Sequence, residues 1–327
     1  MKRLLKKLYR ISSPSTKERE MKKFLIGWIA ENVPSAIITD DNFGNLYITK
    51  GNSYAYPCVV SHIDEVHQSK GNGFVVIDAR GTLFGYNTEK KDYVGIGADD
   101  KNGIWVCLNC LLKYDAIKVA FFVQEELGTV GSSNADVKWF SDCRYILECD
   151  RKGGRDLVVN GCNVNIASDE FIKDCDYKDY GYSECKLGGL TDVVTLAEDG
   201  VCISCVNIAC GYYHPHTECE FTVFSELENC LNFVFHIIEN CIGVYEHTAE
   251  RTRFMDFSYS YSEGTQRHLQ EDRLYCEMYT DFNMAEDFDL DEFYKRTKKQ
   301  YKLIDKETYN YIYFQVTGKE YETANNV

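Results

Sequence analysis

The 327-residue sequence predicts an α/β fold, a three-layer α/β/α sandwich around a mixed, largely parallel central sheet. Three observations carry this. Four short apolar runs, at 57–61, 119–123, 145–147 and 201–209, have the length and composition of buried strands. Helix-period stretches separate or flank them, at 100–114, 129–137, 168–176, 190–199 and 224–242. Each run leads to a His, Asp or Glu at or soon after its carboxyl end, where open α/β sheets place their ligand sites.

The remaining elements follow in order. Leu4, Leu5, Leu8 and Ile11 recur at helical spacing until Ser12-Ser13-Pro14-Ser15 breaks the pattern. Ser15 and Glu18 stand at capping-box spacing, which opens a second helix running to about Glu31. Residues 36–49 read as a hairpin turned at Asn42-Phe43-Gly44-Asn45, and 73–86 as another turned at Arg80-Gly81. Asp99 opens the helical stretch at 100–114. Beyond His247 the chain becomes dense in Tyr and acidic residues, with Tyr309-Asn310-Tyr311-Ile312-Tyr313-Phe314 as its main apolar patch. A boundary is expected there, with a catalytic domain at 1–247 and an extension of unassigned function at 248–327. The acidic run 286–292 lacks the glycine and distal glutamate of a calcium loop, so no cation is assigned to it.

A net charge of −15 argues against nucleic acid or an anionic membrane as a partner, since both demand a basic face. No apolar run reaches the ~18 residues of a membrane span. The fifteen cysteines are scattered, many inside apolar runs, and Met1 to Leu8 lacks the apolar core of a secretory leader. They read as reduced thiols acting as small buried hydrophobes, which points to the cytoplasm. Cys107 and Cys110 lie in a helical pattern, and strand alternation puts Cys202 and Cys205 on opposite faces, so neither pair is read as a zinc or redox site.

Five side chains have the types and spacing of ligands in a two-metal hydrolase: His62, Asp99, Glu126, Asp150 and His214. Carboxylate and imidazole without thiolate suit two catalytic divalent ions, zinc first, with cobalt or manganese as substitutes. Asp99 is the natural bridge because a carboxylate has two oxygens, which leaves two further ligands for each ion. Such a pair can share one water and polarise an amide. Asp64 is placed to hold the second nitrogen of His62. Glu125 precedes ligand Glu126 and cannot turn to the same ion from an extended backbone, so it is expected to face the reacting water as general base. Tyr213 is expected to donate to the developing oxyanion, with Tyr212 equally near. His67 and His216 are assigned structural or solvated roles.

Ser61-His62-Ile63-Asp64, Gly97-Ala98-Asp99-Asp100-Lys101-Asn102-Gly103, Gln124-Glu125-Glu126-Leu127-Gly128, Asp150 and His214-Pro215-His216-Thr217-Glu218 together resemble the motifs of the co-catalytic di-zinc exopeptidases. The likeness is to the peptidase T-like and glutamyl-type aminopeptidases in particular. Leu4 to Glu18 resembles that family's opening, and Gly188-Gly189-Leu190-Thr191-Asp192 its turn before the last core helix and strand. The resemblance covers about residues 1–245. It implies the five ligands named above with Asp99 bridging, Glu125 as base, Asp64 as orienting carboxylate, and a cis peptide bond at Asp99–Asp100. Peptidase T-like enzymes insert a lid domain between the fourth ligand and the Gly-Gly turn. Only 37 residues separate Asp150 from Gly188 here, so no lid is expected, which leaves substrate length and oligomeric state open. The expected function is a metallo-aminopeptidase acting on short peptides. A carboxypeptidase or N-acyl amino-acid deacylase on the same fold, and a catalytically silent metal-binding module, are the alternatives.

Overall fold

The computed structural model describes residues 2–251 and, further on, residues 274, 278, 289–299, 301–302 and 304–317. The chain divides into two compact units, Met1–Arg253 and Phe254–Val327.

In chain order the first unit carries α1 (Lys2–Leu8), α2 (Arg19–Asn32), β1 (Ile37–Asp40), β2 (Leu46–Lys50), β3 (Tyr56–His62), β4 (Phe74–Ala79), β5 (Thr82–Asn87) and β6 (Asp92–Tyr93). Then come α3 (Ala98–Lys113), β7 (Ile117–Phe122), β8 (Cys143–Arg151), β9 (Asp156–Val158), β10 (Asn160–Gly161), β11 (Val164–Asn165), α4 (Asp169–Asp174) and β12 (Ser183–Cys185). It ends with α5 (Asp192–Glu198), β13 (Cys205–Ala209), β14 (Tyr212–Tyr213), β15 (Phe221–Val223), α6 (Phe224–Asn240) and β16 (Glu250–Arg251).

The main sheet has eight strands in the order β1-β2-β7-β3-β8-β13-β9-β12. The four apolar runs of the sequence form its parallel centre, β7-β3-β8-β13, and antiparallel β2 and β9 flank them. The register pairs His62 with Phe122 and Val60 with Glu148. His62, the turn after β7 and Asp150 therefore leave the sheet at one edge.

Strand alternation sorts the core into two layers. Val59, Val119, Phe121, Tyr145, Leu147, Val206 and Ile208 pack with apolar residues of α1, α2, α3, α4 and α6. Cys58, Val60, Ala120, Phe122, Ile146 and Cys205 pack with Val193, Val194 and Leu196 of α5. This is the α/β/α sandwich that the sequence predicts. The stretch between Asp150 and Gly188 extends the main sheet with β9 and β12 and sends Phe171 of α4 into the core.

Two local expectations fail. No α-helix forms at 129–137, where short 3-10 turns, Ser132–Asn134 and Val137–Phe140, occur instead. The Ser132 and Ser133 hydroxyls both donate to the Thr129 carbonyl, and Asn45 Nδ2 donates to the Gly131 carbonyl, so side chains compete for the carbonyls a helix would use. Nor does Ser15 cap α2. Its hydroxyl is spent on Asp64, Glu18 accepts from the Thr16 amide, and the helix starts at Arg19.

Cys107, Cys110 and Cys205 are buried free thiols and Cys202 is an exposed one. Among the described residues no helix is long and apolar enough to cross a membrane. The second unit contains α7 (Leu290–Thr297) and α8 (Lys306–Thr317), which bury Leu290, Phe293, Tyr309 and Ile312 together with Leu274 and Met278. Of the acidic run 286–292, residues 286–288 lie outside the described residues, and Asp289 caps α7 by accepting from the Asp291 and Glu292 amides.

Candidate metal centre

His62 ends β3 fully buried, its ring between carboxylates. Nε2 lies 3.0 Å from Asp99 Oδ1 and 3.6 Å from Asp150 Oδ1, and Nδ1 faces Asp64 Oδ1 at 3.3 Å. Asp64 also accepts from the Glu125 amide (2.9 Å), the Glu126 amide (3.3 Å) and the Ser15 hydroxyl (2.7 Å). One carboxylate therefore orients the imidazole, shapes the turn that presents Glu125 and Glu126, and holds the Ser15 hydroxyl. Asp150 leaves β8 with its amide donating to Asn207 Oδ1 (3.0 Å) and its side chain within 3.3 Å of the Tyr212 hydroxyl. Asp99 opens α3 with non-helical angles, and the Asp99–Asp100 peptide bond is cis.

On the other side of Asp99, Oδ2 lies 3.3 Å from His216 Nε2, which is 2.9 Å from Glu126 Oε2. The imidazole of this second group belongs to His216, not His214, which corrects the sequence expectation. β14 ends at Tyr213 and pairs back on β15, Tyr213 opposite Phe221, so 214–220 form the loop of a hairpin. His214 and His216 both adopt left-handed backbone there. The Thr217 hydroxyl closes the loop onto the His214 carbonyl (2.8 Å). His216 is thereby aimed at Asp99, whereas the His214 ring packs on Phe221. Apolar runs alone point to the first histidine after the strand, and only the pairing of Tyr212-Tyr213 with Phe221-Thr222 moves the choice to the second.

Tyr213 is a second correction. Its hydroxyl donates to Glu226 Oε2 (2.7 Å) and its ring stacks on Phe221, outside both groups. Tyr212, its alternative, is the tyrosine that touches Asp150. His67 has a structural place, 3.3 Å from Glu220.

The electrostatics follow from crowding carboxylates out of water. Burial alone would lower His62, but Asp150, Asp64 and Asp99 outweigh it and hold the imidazole well above its ordinary pKa. Burial likewise disfavours the Asp99 anion, yet His216 and His62 hold it far below the usual carboxylate range. Burial pushes Asp150 up to about 8, with Asp99 adding to it. Burial also pushes Glu125 up to about 10, with Asp150, Asp192 and Asp99 adding and His62 opposing. Hydrogen bonds to Asp99 and Glu126 raise His216 to about 10.

Donor atoms thus gather in two groups, His62–Asp99–Asp150 and Asp99–Glu126–His216, the atoms within each group lying within 4.8 Å of one another and Asp99 being common to both. Glu126 Oε1 is buried without a hydrogen-bond partner. Oxygen and imidazole donors, an orphaned buried oxygen and one carboxylate shared between two sets fit a pair of divalent cations.

No protein-family profile and no curated protein matches the chain. Solved structures do match. Aminopeptidase PepT from Bacillus cereus is 17% identical, with a TM-score of 0.61 over 72% of this chain and 96% of that one. A tripeptidase from Staphylococcus aureus is 15% identical, with a TM-score of 0.58 over 72% and 96%. A TET aminopeptidase from a marine-sediment thaumarchaeon is 16% identical, with a TM-score of 0.54 over 72% and 96%. The chain has the fold of these peptidases.

Proposed function

We propose that the chain is a di-metal hydrolase that cleaves the peptide bonds of short peptides, and specifically an aminopeptidase. One observation carries the reading. Asp99 is shared by two sets of ligand-type side chains, and Asp64, which faces His62 of the first set, accepts from the amides of Glu125 and of Glu126, a member of the second. Two divalent cations, zinc in the first place, would be held by His62, Asp150 and Asp99 and by Glu126, His216 and Asp99. When bound they supply Lewis acidity toward a water molecule and the substrate carbonyl.

The chain's own groups do the rest. Asp64 holds the His62 ring and, through the Glu125 amide, sets where the Glu125 carboxyl sits. Glu125 takes the proton of the attacking water and passes it to the leaving amine. Its carboxyl stands near 10 among carboxylates, and nearby dications would lower it into the range where a base is useful. Aminopeptidase neighbours on this fold support cleavage at the amino end. The catalytic work is assigned to residues 1–247, with 248–327 an extension without an assigned role. Buried free thiols suit a reducing, cytoplasmic setting.

Purified protein should contain close to two zinc ions per chain and hydrolyse aminoacyl-p-nitroanilides faster than N-acetylated amino acids. The opposite preference would make it a deacylase on the same fold, and a metal-loaded protein inert toward both would make it a binding module.

A further inference from the structure

Glu220 lies four residues beyond His216 and belongs to neither set of ligand-type groups, yet it is only 1% exposed. Its carboxylate turns back on the loop that carries Asp99. Oε2 accepts from the Gly97 amide at 2.5 Å and Oε1 from the Asp99 amide at 3.1 Å. His67 Nε2 approaches Oε2 at 3.3 Å. The loop so gripped has little freedom. Gly97 has a φ of +64°, and a Cβ there would run into Glu65 and Lys101, which pair with each other at 2.7 Å. The His67 ring fills the space that a Cβ on Gly95 would need.

We propose that Glu220 is a positioning residue for the second cation, fixing the His216 loop against the Asp99 loop so that Asp99 Oδ2 and His216 Nε2 stay at ligand distance. Its loss weakens the cation held by Asp99, Glu126 and His216 more than the one held by His62, Asp99 and Asp150. The inference rests on the two-cation reading above.

The selectivity has a structural cause. In the first set, Asp64 stands behind His62, and Asn207 and Tyr212 hold Asp150, and none of these touches Glu220. In the second set, His216 is half exposed on a loop, and among the described residues no carboxylate pairs with its Nδ1. Glu220 is the buried tie between that loop and Asp99. An outer partner of this kind is generally worth about 10–100-fold in metal affinity.

Metal-stripped full-length protein titrated with zinc in a calorimeter provides the test. Wild type should bind in two steps. Glu220→Gln puts an amide NH2 against one of the two backbone donors. It should weaken the weaker step by about 10–100-fold and leave the stronger within about threefold. At limiting zinc its kcat should fall with KM nearly unchanged, and excess zinc should restore it. Glu220→Asp keeps the charge but reaches only one amide, so its effect should be intermediate, and it carries the test if the Gln variant does not fold. Glu218→Ala is the control: Glu218 accepts from the Gly95 amide on the same loop but does not reach Asp99, so both steps should stay within about threefold of wild type. Unchanged steps in both Glu220 variants, equal weakening of both steps, or an equal effect of Glu218→Ala would overturn the inference while leaving the two-cation reading intact. Wild-type protein that binds a single ion would overturn both.

Discussion

The two halves of the candidate centre are built differently. His62 and Asp150 sit at the ends of adjacent parallel strands, fully or nearly buried, and each has a polar partner behind it. Glu126 and His216 sit on a tight turn and a hairpin loop, and His216 keeps about half of its side chain exposed. Asp99 joins them. One half inherits its geometry from the sheet. The other must be assembled from loops, and loops open more readily than core strands. The comparison teaches that a carboxylate shared by two ligand-type sets need not leave them equally supported.

The same difference decides what could be read from sequence. A strand announces itself by its apolar run, and the residue at its end is then placed by register. His62, Asp150 and the Glu125-Glu126 pair were legible for that reason, and Asp64 by its two-residue offset from His62. His216 was not legible, because its direction depends on where β14 stops and how the 214–220 loop folds back on β15. Tyr213 was misassigned through the same shift. Glu220 was invisible to local reading because its partners, Gly97 and Asp99, lie more than 120 residues away. The absent helix at 129–137 belongs with these. Its hydroxyls hydrogen-bond locally, and its contacts to Asn45 and Asp192 are long-range, so periodicity alone misleads.

The largest effect should come from the group both halves serve. Glu125→Ala should retain two ions and lose about 10²–10⁴-fold in kcat, the usual worth of a positioned proton carrier. Near-normal turnover in that variant would remove the role of base from Glu125 whatever becomes of the ligands.

The next test addresses the loop half directly. His216→Ala should drop zinc content from about two ions per chain to about one and lower hydrolysis by about 10²–10³-fold, since one Lewis acid and the placement of the water are lost. His214→Ala should keep both ions and stay within about threefold of wild type. If the two variants exchange these phenotypes, the hairpin loop points the other way in solution and the first histidine is the ligand after all.

The strand half is probed more gently through its outer partner. Asp64→Asn removes the anion facing His62 Nδ1 while keeping an acceptor for the Glu125 amide. It should weaken the tighter zinc step by about 10–100-fold and the looser one less, because Asp64 faces the His62 ring directly but reaches the second set only through the Glu126 amide. Equal weakening of both steps would mean that the halves are not independently supported.

The smallest effect, and the most direct reading of the loop half, is in the protons that zinc displaces. A ligating imidazole must be neutral, and the His216 imidazole in the metal-free protein is raised to about 10 by Asp99 and Glu126. Its folded pKa therefore exceeds the unfolded value of about 6.5. The sign follows. The imidazolium–carboxylate contact stabilises the metal-free fold fully below pH ~6.5 and is lost as pH rises through about 10. Zinc binding competes with that contact, so at pH 7–9 the second step should expel about one proton from His216, and its affinity should rise about tenfold per pH unit over that window. Calorimetry in buffers of different ionisation enthalpy counts the protons directly. Wild type should release about one more than His216→Ala, whereas His214→Ala should release as many as wild type, because burial and Lys152 keep His214 below its ordinary pKa and so largely neutral there. If His216→Ala released as many protons as wild type, the imidazole of the loop half would be neutral before the metal arrives, and the asymmetry between the halves would lie in geometry alone.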